Sequence, residues 1–282
     1  MSAAPGTTSA VADDLYDVLR VATTIGADAG DVALSFWHQG VEWLEKNPRD
    51  LVSVADQTVE AFITEQLQAA FSDDDVVGEE GTNRTSGSGA GRRCWYVDPI
   101  DGTTNYLKGL PNWGISLGLA APDDTLLAGV VVLPASGEVF SAAKGHGATR
   151  NGVPIAVSDV DRLDRTVITY ALTGSSGDQW GDEETFSAGV RALMATTLGT
   201  RMQGCSVADL TSVAMGRLDA TLAGGMNTWD VAAGLLICAE AGAVITTPDG
   251  RRSTGPDLAF VASAPGVHSA IRQVLAEHRA IR

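Results

Sequence analysis

The sequence WYVDPIDGTTN occupies residues 95–105 and decides the fold around it. Its first three residues are typical of a buried strand, and Pro99 is expected to end the hydrogen-bonded ladder directly after Asp98. Asp98 and Asp101 then share a tight turn. The Gly-Thr-Thr that follows is able to begin a helix, whose free N–H groups attract anions. Two carboxylates beside an anion site imply a bridging cation.

Two further acidic clusters have a similar setting, GEEG at residues 78–81 and Trp229-Asp230. Their neighbours are apolar residues or glycine, which is unusual for solvated surface acids. Oxygen ligands without histidine or cysteine favour Mg²⁺ or Mn²⁺ over zinc or copper. Taken singly, the acids have ordinary explanations: Asp98 forms a turn, Asp101 caps a helix and the GEEG glutamates are solvated. Only their combination favours a metal site.

Charge and cysteine content argue against several classes of protein. Among 282 residues, 19 Lys and Arg stand against 35 Asp and Glu, a net charge of −16 that disfavours binding to nucleic acid. No apolar run approaches the ~20 residues needed to cross a bilayer, and the first residues lack the regions of a leader peptide. The three cysteines lack zinc-site spacing and are expected to be reduced and buried. We therefore expect a cytoplasmic protein without a membrane partner.

Hydrophobic periodicity predicts a helical start, a β-rich middle and an α/β last third. One long helix is predicted over residues 13–44, with a break near Gly26 to Gly30 left open. A second helix begins at Ser53 and closes before Ser72. Short strands follow from Val76. The predicted later elements are strands near 167–170 and 218–222 and helices near 184–194, 206–215, 231–241 and 267–278.

In order and spacing, six stretches resemble the inositol monophosphatase family. They are KNPRDLVSVAD (46–56), GEEG (78–81), WYVDPIDGTTNY (95–106), GHGATRNG (145–152), GCSVADLTSVAMGRLDA (204–220) and WDVAAGLLICAEAGA (229–243). Members of this family are Mg²⁺-dependent, lithium-sensitive phosphomonoesterases. The resemblance implies an α/β (α+β) fold, the layered αβαβα sandwich of the sugar-phosphatase type. It also implies two halves: residues 1–160 carry most metal ligands, and residues 161–282 complete the active site.

The resemblance assigns ligands to two metal ions. Glu79, Asp98 and the backbone carbonyl of Ile100 would hold the first, and Asp98, Asp101 and Asp230 the second. Such a pair, ~4 Å apart, clamps the attacking and leaving oxygens of an in-line displacement. With a third, weaker ion left open, the expected cofactor is two or three Mg²⁺ per site.

The resemblance also implies the catalytic groups. Besides the ligand Glu79, these are Thr103, which would hold the attacking water, and Asp56, which would accept from the Thr103 hydroxyl as a proton sink. Backbone N–H groups of Gly102 and Thr103 would bind phosphate oxygens. Residue chemistry alone also allows Asp56 to be a helix-terminal acid and Thr103 an N-cap, and both roles are compatible. Glu80 is left open between an outer contact to a third Mg²⁺ and a solvated charge.

Three positions are implied as substrate contacts. Cys205 and Ser206 match the family stretch whose backbone meets ring hydroxyls, and Cys205 is not expected to be a nucleophile because no histidine lies in a partner motif. At Ala223, members that act on inositol phosphate commonly carry a glutamate that binds ring hydroxyls. Its loss removes a charge-assisted hydrogen bond worth roughly 1.5 to 3 kcal/mol, which leaves inositol specificity open. The loop Thr82 to Gly91 and the segment 171–184 have no assigned role.

The expected partner is a small phosphomonoester, most simply inositol 1-phosphate. Histidinol phosphate and a nucleotide 3′-phosphate stay open as alternatives within the family. A regulatory partner of the transcription machinery is a different class, disfavoured by the intact carboxylates and the lack of a basic patch. The resemblance further implies a homodimer, and the segment Leu107 to Trp113 is equally consistent with its interface and with the core.

Overall fold

The structure is a computed structural model that describes residues 8–40, 43–47, 50–82, 91–172, 180, 183–253 and 255–279. Within these ranges the helices are α1 Thr8–Gln39, α2 Val54–Ala70, α3 Thr103–Leu107, α4 Glu183–Thr196, α5 Ser206–Ala214, α6 Thr228–Glu240 and α7 Pro265–Arg279. The strands are β1 Trp43–Asn47, β2 Asp50–Ser53, β3 Asp75–Gly78, β4 Cys94–Asp101, β5 Gly114–Ala120, β6 Leu126–Leu133, β7 Glu138–Ala143, β8 Ala148–Arg150, β9 Val153–Ile155, β10 Val167–Leu172, β11 Gly199–Arg201, β12 Ala220–Gly224, β13 Val244–Thr246 and β14 Phe260–Ser263.

Helix α1 continues through Gly26 and Gly30 without the break that the sequence left open. A Cβ on either glycine would lie 3.2 Å from the nearest aliphatic side chain of the sheet beneath, so glycine permits close packing there. The helix ends before Gly40, whose φ of +75° favours glycine. The prediction that it extends to Leu44 is wrong, since Trp43–Asn47 forms β1. No helix in the described ranges has the length and apolar composition to cross a bilayer.

A seven-stranded sheet in the order β3-β4-β5-β6-β7-β8-β9 carries the DPID sequence on β4. Only its β3–β4 pair is parallel, and the other neighbouring strands are antiparallel. Helices α1 and α2 cover one face, where Val59 and Ile63 share a fully buried cluster with Trp95. Helix α6 covers the other face so closely that a Cβ on Gly118 or Gly129 would approach Ala232 and Ala233 to within 2.6–2.8 Å.

A second sheet has the order β11-β10-β12-β14-β13. Strand β10 runs parallel to β11 and β12, while β14 is antiparallel to β12 and β13. One face buries Ile168 with Phe186 of α4 and Ile271 of α7, and the other faces α5 and α6. Helices α5 and α6 thus lie between the two sheets. The predicted αβαβα layers are confirmed.

Candidate active site

Four acidic side chains from three elements meet at one edge of the two sheets. Asp98 and Asp101 belong to β4, Glu79 follows β3, and Asp230 is the third residue of α6. They border a cavity of about 260 Å³. Its other described lining residues are Ile100, Gly102, Thr103, Ala171, Gly204, Cys205, Ser206, Met226 and Asn227.

Strand β4 passes through Pro99 instead of ending before it, contrary to the prediction. Asp98 pairs with Ser116 and Asp101 pairs with Gly114, so the register shifts across the residues between them. A bulge of this kind removes the need for a ladder hydrogen bond at proline. The Asp98 carboxylate accepts the N–H of Ile100 at 3.0 Å, which stabilises the bulge.

Burial and mutual repulsion raise the pKa of these acids. Burial holds the pKa of Asp98 well above its usual range, and the charges of Glu79, Asp101 and Asp230 raise it further. Burial and Asp230 raise the pKa of Asp101 to about 7, although two hydrogen bonds oppose the shift. Burial also raises the pKa of Asp230 to about 6. A positive charge beside these carboxyls would therefore favour their ionised forms.

The donor set fits a hard divalent cation. The ion pairs of the described residues include none of Asp98, Asp101 and Asp230. These carboxylates, Glu79 and the Ile100 carbonyl offer oxygen only, which Mg²⁺ prefers. Among the same described residues, no three acidic, histidine or cysteine side chains form a ready-made metal cage. The fit therefore rests on donor chemistry and on uncompensated charge.

Gly102, and neither Asp101 nor Thr103, is the N-cap of α3. Its φ is +84°, and a Cβ there would lie 3.1 Å from the Asn112 carbonyl oxygen and from the Cys205 Cβ. Both the backbone conformation and the crowding require glycine.

The hydroxyl of Thr103 donates to the Ile100 carbonyl at 3.1 Å. Asp56 is 1% exposed, and its Oδ2 accepts the N–H and the hydroxyl of Ser53 at 2.8 and 2.6 Å. Asp56 and Ser53 thus form a capping box at the start of α2, so the helix-terminal role is present. The catalytic pairing of Thr103 with Asp56 stays a prediction.

Cys205 is buried beside Asp101, with 3.4 Å between its Sγ and Oδ2 of the carboxylate. Burial, followed by the Asp101 charge, raises the pKa of this thiol well above its usual range. The protonated thiol that results is a poor nucleophile. Ser206 borders the cavity, and its hydroxyl lies 3.5 Å from Sδ of Met226.

Ala223 is 2% exposed on β12 and is not among the described lining residues. Its neighbours across the sheet are Ala171, which does line the cavity, and Phe260. The carbonyl of Ala223 accepts the indole N–H of Trp180 at 3.0 Å. A side chain at 223 therefore starts one strand away from the cavity wall.

Sequence reasoning missed two groups that assemble the site. The N–H of Val207 donates to Asp101 at 2.6 Å, and a backbone donor leaves no signal in the sequence. The Asn105 amide donates to the carbonyls of Asn112 and Gln203 at 2.6 and 2.7 Å. Asn105 ends the quoted motif, so its presence there was the only available signal.

Several predicted features lie partly outside the described residues. Residues 83–90 of the predicted loop do so, as do 173–179, 181 and 182 of the unassigned segment. The segment Leu107 to Trp113 is described and is split. Trp113 is fully buried against Tyr106 at a ring-centroid distance of 4.8 Å, whereas Leu110 is 51% exposed. All three cysteines are free and buried, as predicted.

Comparisons with known proteins agree with this architecture. The model of the inositol monophosphatase family matches residues 14–280. Inositol-1-monophosphatase of Synechocystis sp. is 34% identical over 93% of this chain and 90% of that protein. A Thermotoga maritima fructose-1,6-bisphosphatase/inositol-1-monophosphatase is 32% identical over 88% of this chain and 91% of that protein. The extragenic suppressor protein SuhB of Bartonella henselae has a crystal structure that matches with a TM-score of 0.83 at 30% identity, covering 92% of this chain and 98% of that one.

A carboxylate-lined cavity at the edge of a five-layer sandwich is the arrangement of a sugar-phosphatase fold. The chain belongs to the inositol monophosphatase family. It is accordingly a phosphatase, a phosphoric monoester hydrolase, of a family that is generally Mg²⁺-dependent.

Proposed function

We propose that this enzyme hydrolyses a small phosphomonoester with Mg²⁺, most simply inositol 1-phosphate to inositol and phosphate. The observation that carries the proposal is the group of four acids around one cavity, with Asp98 and Asp101 only 2% and 8% exposed. Several ionised acids buried this deeply and facing one another are costly unless hydrogen-bond donors or a cation compensate their charge.

Glu79, Asp98 and the Ile100 carbonyl would hold one Mg²⁺, and Asp98, Asp101 and Asp230 a second. When bound, the cations supply a lowered pKa for the attacking water and charge stabilisation for the leaving oxygen. The pKa values of Asp101 and Asp230, raised to about 7 and about 6, support a cation beside both carboxyls, because its positive charge would complete their ionisation at neutral pH.

Thr103 would orient the attacking water with its hydroxyl, and Asp56 would accept the proton released. The water oxygen would attack phosphorus opposite the ester oxygen, with one water proton passing to Asp56 and the other staying on the phosphate. The P–O bond to the alcohol would then break, the alkoxide would take a proton from solvent water, and Asp56 would return its proton to the resulting hydroxide. The N–H groups of Gly102 and Thr103 would bind phosphate oxygens during this displacement. Cys205 and Ser206 would face the alcohol part of the substrate.

Among the described lining residues, the substrate side of the cavity is neutral. Apart from the candidate ligands and the Gly102–Thr103 turn, its described lining offers one hydroxyl at Ser206 and one amide at Asn227. No aromatic side chain lies in this described lining, so a nucleotide base has no stacking surface there. A polyhydroxylated alcohol is therefore the best-supported substrate, ahead of a nucleotide 3′-phosphate or histidinol phosphate.

A substrate panel tests the proposal. Phosphate release is measured with saturating Mg²⁺ on inositol 1-phosphate, fructose 1,6-bisphosphate, glycerol 2-phosphate, histidinol phosphate and a nucleotide 3′-phosphate. We expect sugar and polyol phosphates to give the highest kcat/KM, with modest differences among them because the metals and amides bind only the common phosphate. A hundredfold preference for the nucleotide or for histidinol phosphate would contradict the substrate assignment.

We further propose a cytoplasmic homodimer that binds no nucleic acid, with a boundary between halves near residues 160 and 161. The net charge of −16 supports the lack of nucleic-acid binding. The boundary is supported by the first sheet ending at Ile155 and the second beginning at Val167. Sedimentation at micromolar concentration tests the dimer, and a monomer alone would contradict it. Metal-dependent turnover would distinguish the enzyme from a purely regulatory binding protein.

A further inference from the structure

Glu60 is a buried acid that the proposed chemistry does not use. It lies on α2 four residues after Asp56, so both acids occupy one face of the helix. Only 4% of Glu60 is exposed, and its neighbours Val59 and Ile63 belong to the apolar core. It takes part in none of the ion pairs of the described residues. A charge in this position needs hydrogen-bond donors.

The donors come from the turn that follows β3. Oε2 of Glu60 accepts the N–H of Glu80 at 2.7 Å. Oε1 accepts the N–H of Thr82 at 3.0 Å and its hydroxyl at 2.7 Å. Gly78 makes this approach possible, since a Cβ there would lie 2.4 Å from Cδ of Glu60. The first glycine of GEEG is therefore required by Glu60.

Glu79 lies directly before Glu80 and Thr82, the two residues that Glu60 holds. Its N–H donates to the Val97 carbonyl at 3.2 Å, and the N–H of Gly78 closes the turn on the Thr82 carbonyl at 2.8 Å. The backbone of Glu79 is thus fixed from both sides while its side chain borders the cavity next to Asp98. The three bonds to Glu60 tie this turn to α2.

We propose that Glu60 is a positioning residue, which holds the GEEG turn so that the Glu79 carboxylate is set for a divalent cation. The inference rests on the proposed metal-dependent phosphatase function. It deepens that function by assigning the orientation of one metal ligand to a residue that contacts neither metal nor substrate. Groups that orient metal ligands in this way typically change metal affinity by about 10- to 100-fold when they are altered.

Glu60→Gln tests the proposal. Glutamine keeps the shape of the side chain but replaces one acceptor oxygen by an NH₂ group, which cannot accept a hydrogen bond from a backbone N–H. We expect the Mg²⁺ concentration for half-maximal activity to rise about tenfold, with kcat at saturating Mg²⁺ within about twofold of wild type. Mn²⁺ binding, followed by electron paramagnetic resonance without substrate, should weaken by a similar factor. Glu65→Gln makes the same charge change on the exposed side of α2 and should leave both quantities unchanged.

Thr82→Val provides a second variant, which removes one hydrogen bond to Glu60 and keeps the backbone N–H. It should weaken Mn²⁺ binding less than Glu60→Gln does. In the double variant, the loss of Mn²⁺ affinity should be smaller than the product of the two single-variant losses. Wild-type Mn²⁺ affinity in folded Glu60→Gln overturns the proposal, and so does wild-type affinity in Thr82→Val if Glu60→Gln fails to fold. A wild-type enzyme that turns over without any divalent cation would instead contradict the proposed function.

Discussion

Gly102 lies where β4 leads into α3, and its positive φ and its neighbours both require glycine. A non-glycine residue at this positive φ costs about 1 to 2 kcal/mol through the backbone conformation alone. We predict that Gly102→Ala lowers the unfolding free energy by more than this, and that it lowers turnover. Gly109→Ala is the matched control, because φ is +71° there and nothing lies within 4 Å of the added Cβ. Urea unfolding of both variants measures the difference. Equal losses would mean that the contacts at Gly102 are unimportant.

The second residue-scale prediction concerns Ala223. If Ala223→Glu carries its carboxylate past Ala171 into the cavity, a ring hydroxyl gains a charge-assisted partner. We then expect kcat/KM for inositol 1-phosphate to rise roughly tenfold, equivalent to about 1.4 kcal/mol. Glycerol 2-phosphate should change little. Ala223→Gln has the same length without the charge and should give a smaller gain. A wild type that already prefers inositol 1-phosphate a hundredfold would show that another residue binds the ring.

Side-chain chemistry made Asp98, Asp101 and Asp230 visible in the sequence, because acids between apolar residues and glycine are unusual. The acceptor roles of these acids depend on backbone groups, such as the Val207 N–H on Asp101, that any residue type provides. Glu60 resembles an ordinary helix acid until its burial is known. Residue identity thus predicted the ligand candidates, whereas their supports required the fold.

At the scale of elements, Asn105 joins the α3 turn to the segment before α5. Its amide donates to the carbonyls of Asn112 and Gln203, and Asn105 itself is only 9% exposed. We predict that Asn105→Asp, which replaces these donors by a charged acceptor, costs about 2 to 4 kcal/mol of unfolding free energy. Asn151→Asp at an exposed turn is the control and should cost little. Similar unfolding midpoints for the two variants would refute the linkage.

Helix periodicity predicted α2 and the later helices because their apolar faces are regular. It failed after Gln39, where Val41 and Leu44 continue the apolar pattern although Gly40 has already ended the helix. The separate prediction that Pro99 ends its strand also failed, because a bulge allows a strand to pass a proline. Both errors come from backbone conformations that a hydrophobic pattern does not contain.

At the scale of the whole molecule, stability should depend on pH through Asp209, a 1% exposed acid between the two sheets. Burial raises its pKa from 3.8 to about 6, although hydrogen bonds from Gln203 and Thr169 oppose the shift. The folded protein therefore binds this proton more tightly than the unfolded chain. Its stabilising contribution is complete below the unfolded pKa and is lost as the pH rises through about 6.

We predict that wild type loses on the order of 1 kcal/mol relative to Asp209→Asn between about pH 5 and pH 7.5. Both proteins are unfolded by urea in EDTA, so that metal binding does not contribute. Asp98 and Asp230 titrate in both proteins, and their effects cancel in the difference. The charge of Asp209 also raises the pKa of Asp101, so both proteins carry Asp101→Asn in this comparison. Parallel pH profiles would show that Asp209 does not titrate in this range.

The layered architecture was accessible from the order of helices and strands together with the family resemblance. The position of α5 and α6 between the sheets could not be predicted, because an apolar helix face does not indicate which sheet it will contact. That position brings Asp230 and the Val207 N–H to the acids of β4. The site therefore depends on both sheets.

The most direct test of a metal-dependent phosphatase centre is the Mg²⁺ dependence of inositol 1-phosphate hydrolysis by wild type and Asp101→Asn. Asp123→Asn, at a site outside the cavity, is the control. We predict that EDTA abolishes wild-type turnover and Mg²⁺ restores it, whereas Asp101→Asn stays folded and falls below about a tenth of wild-type turnover at saturating Mg²⁺. Wild-type turnover that survives EDTA, or an Asp101→Asn variant that retains more than about a tenth of it, would contradict the account.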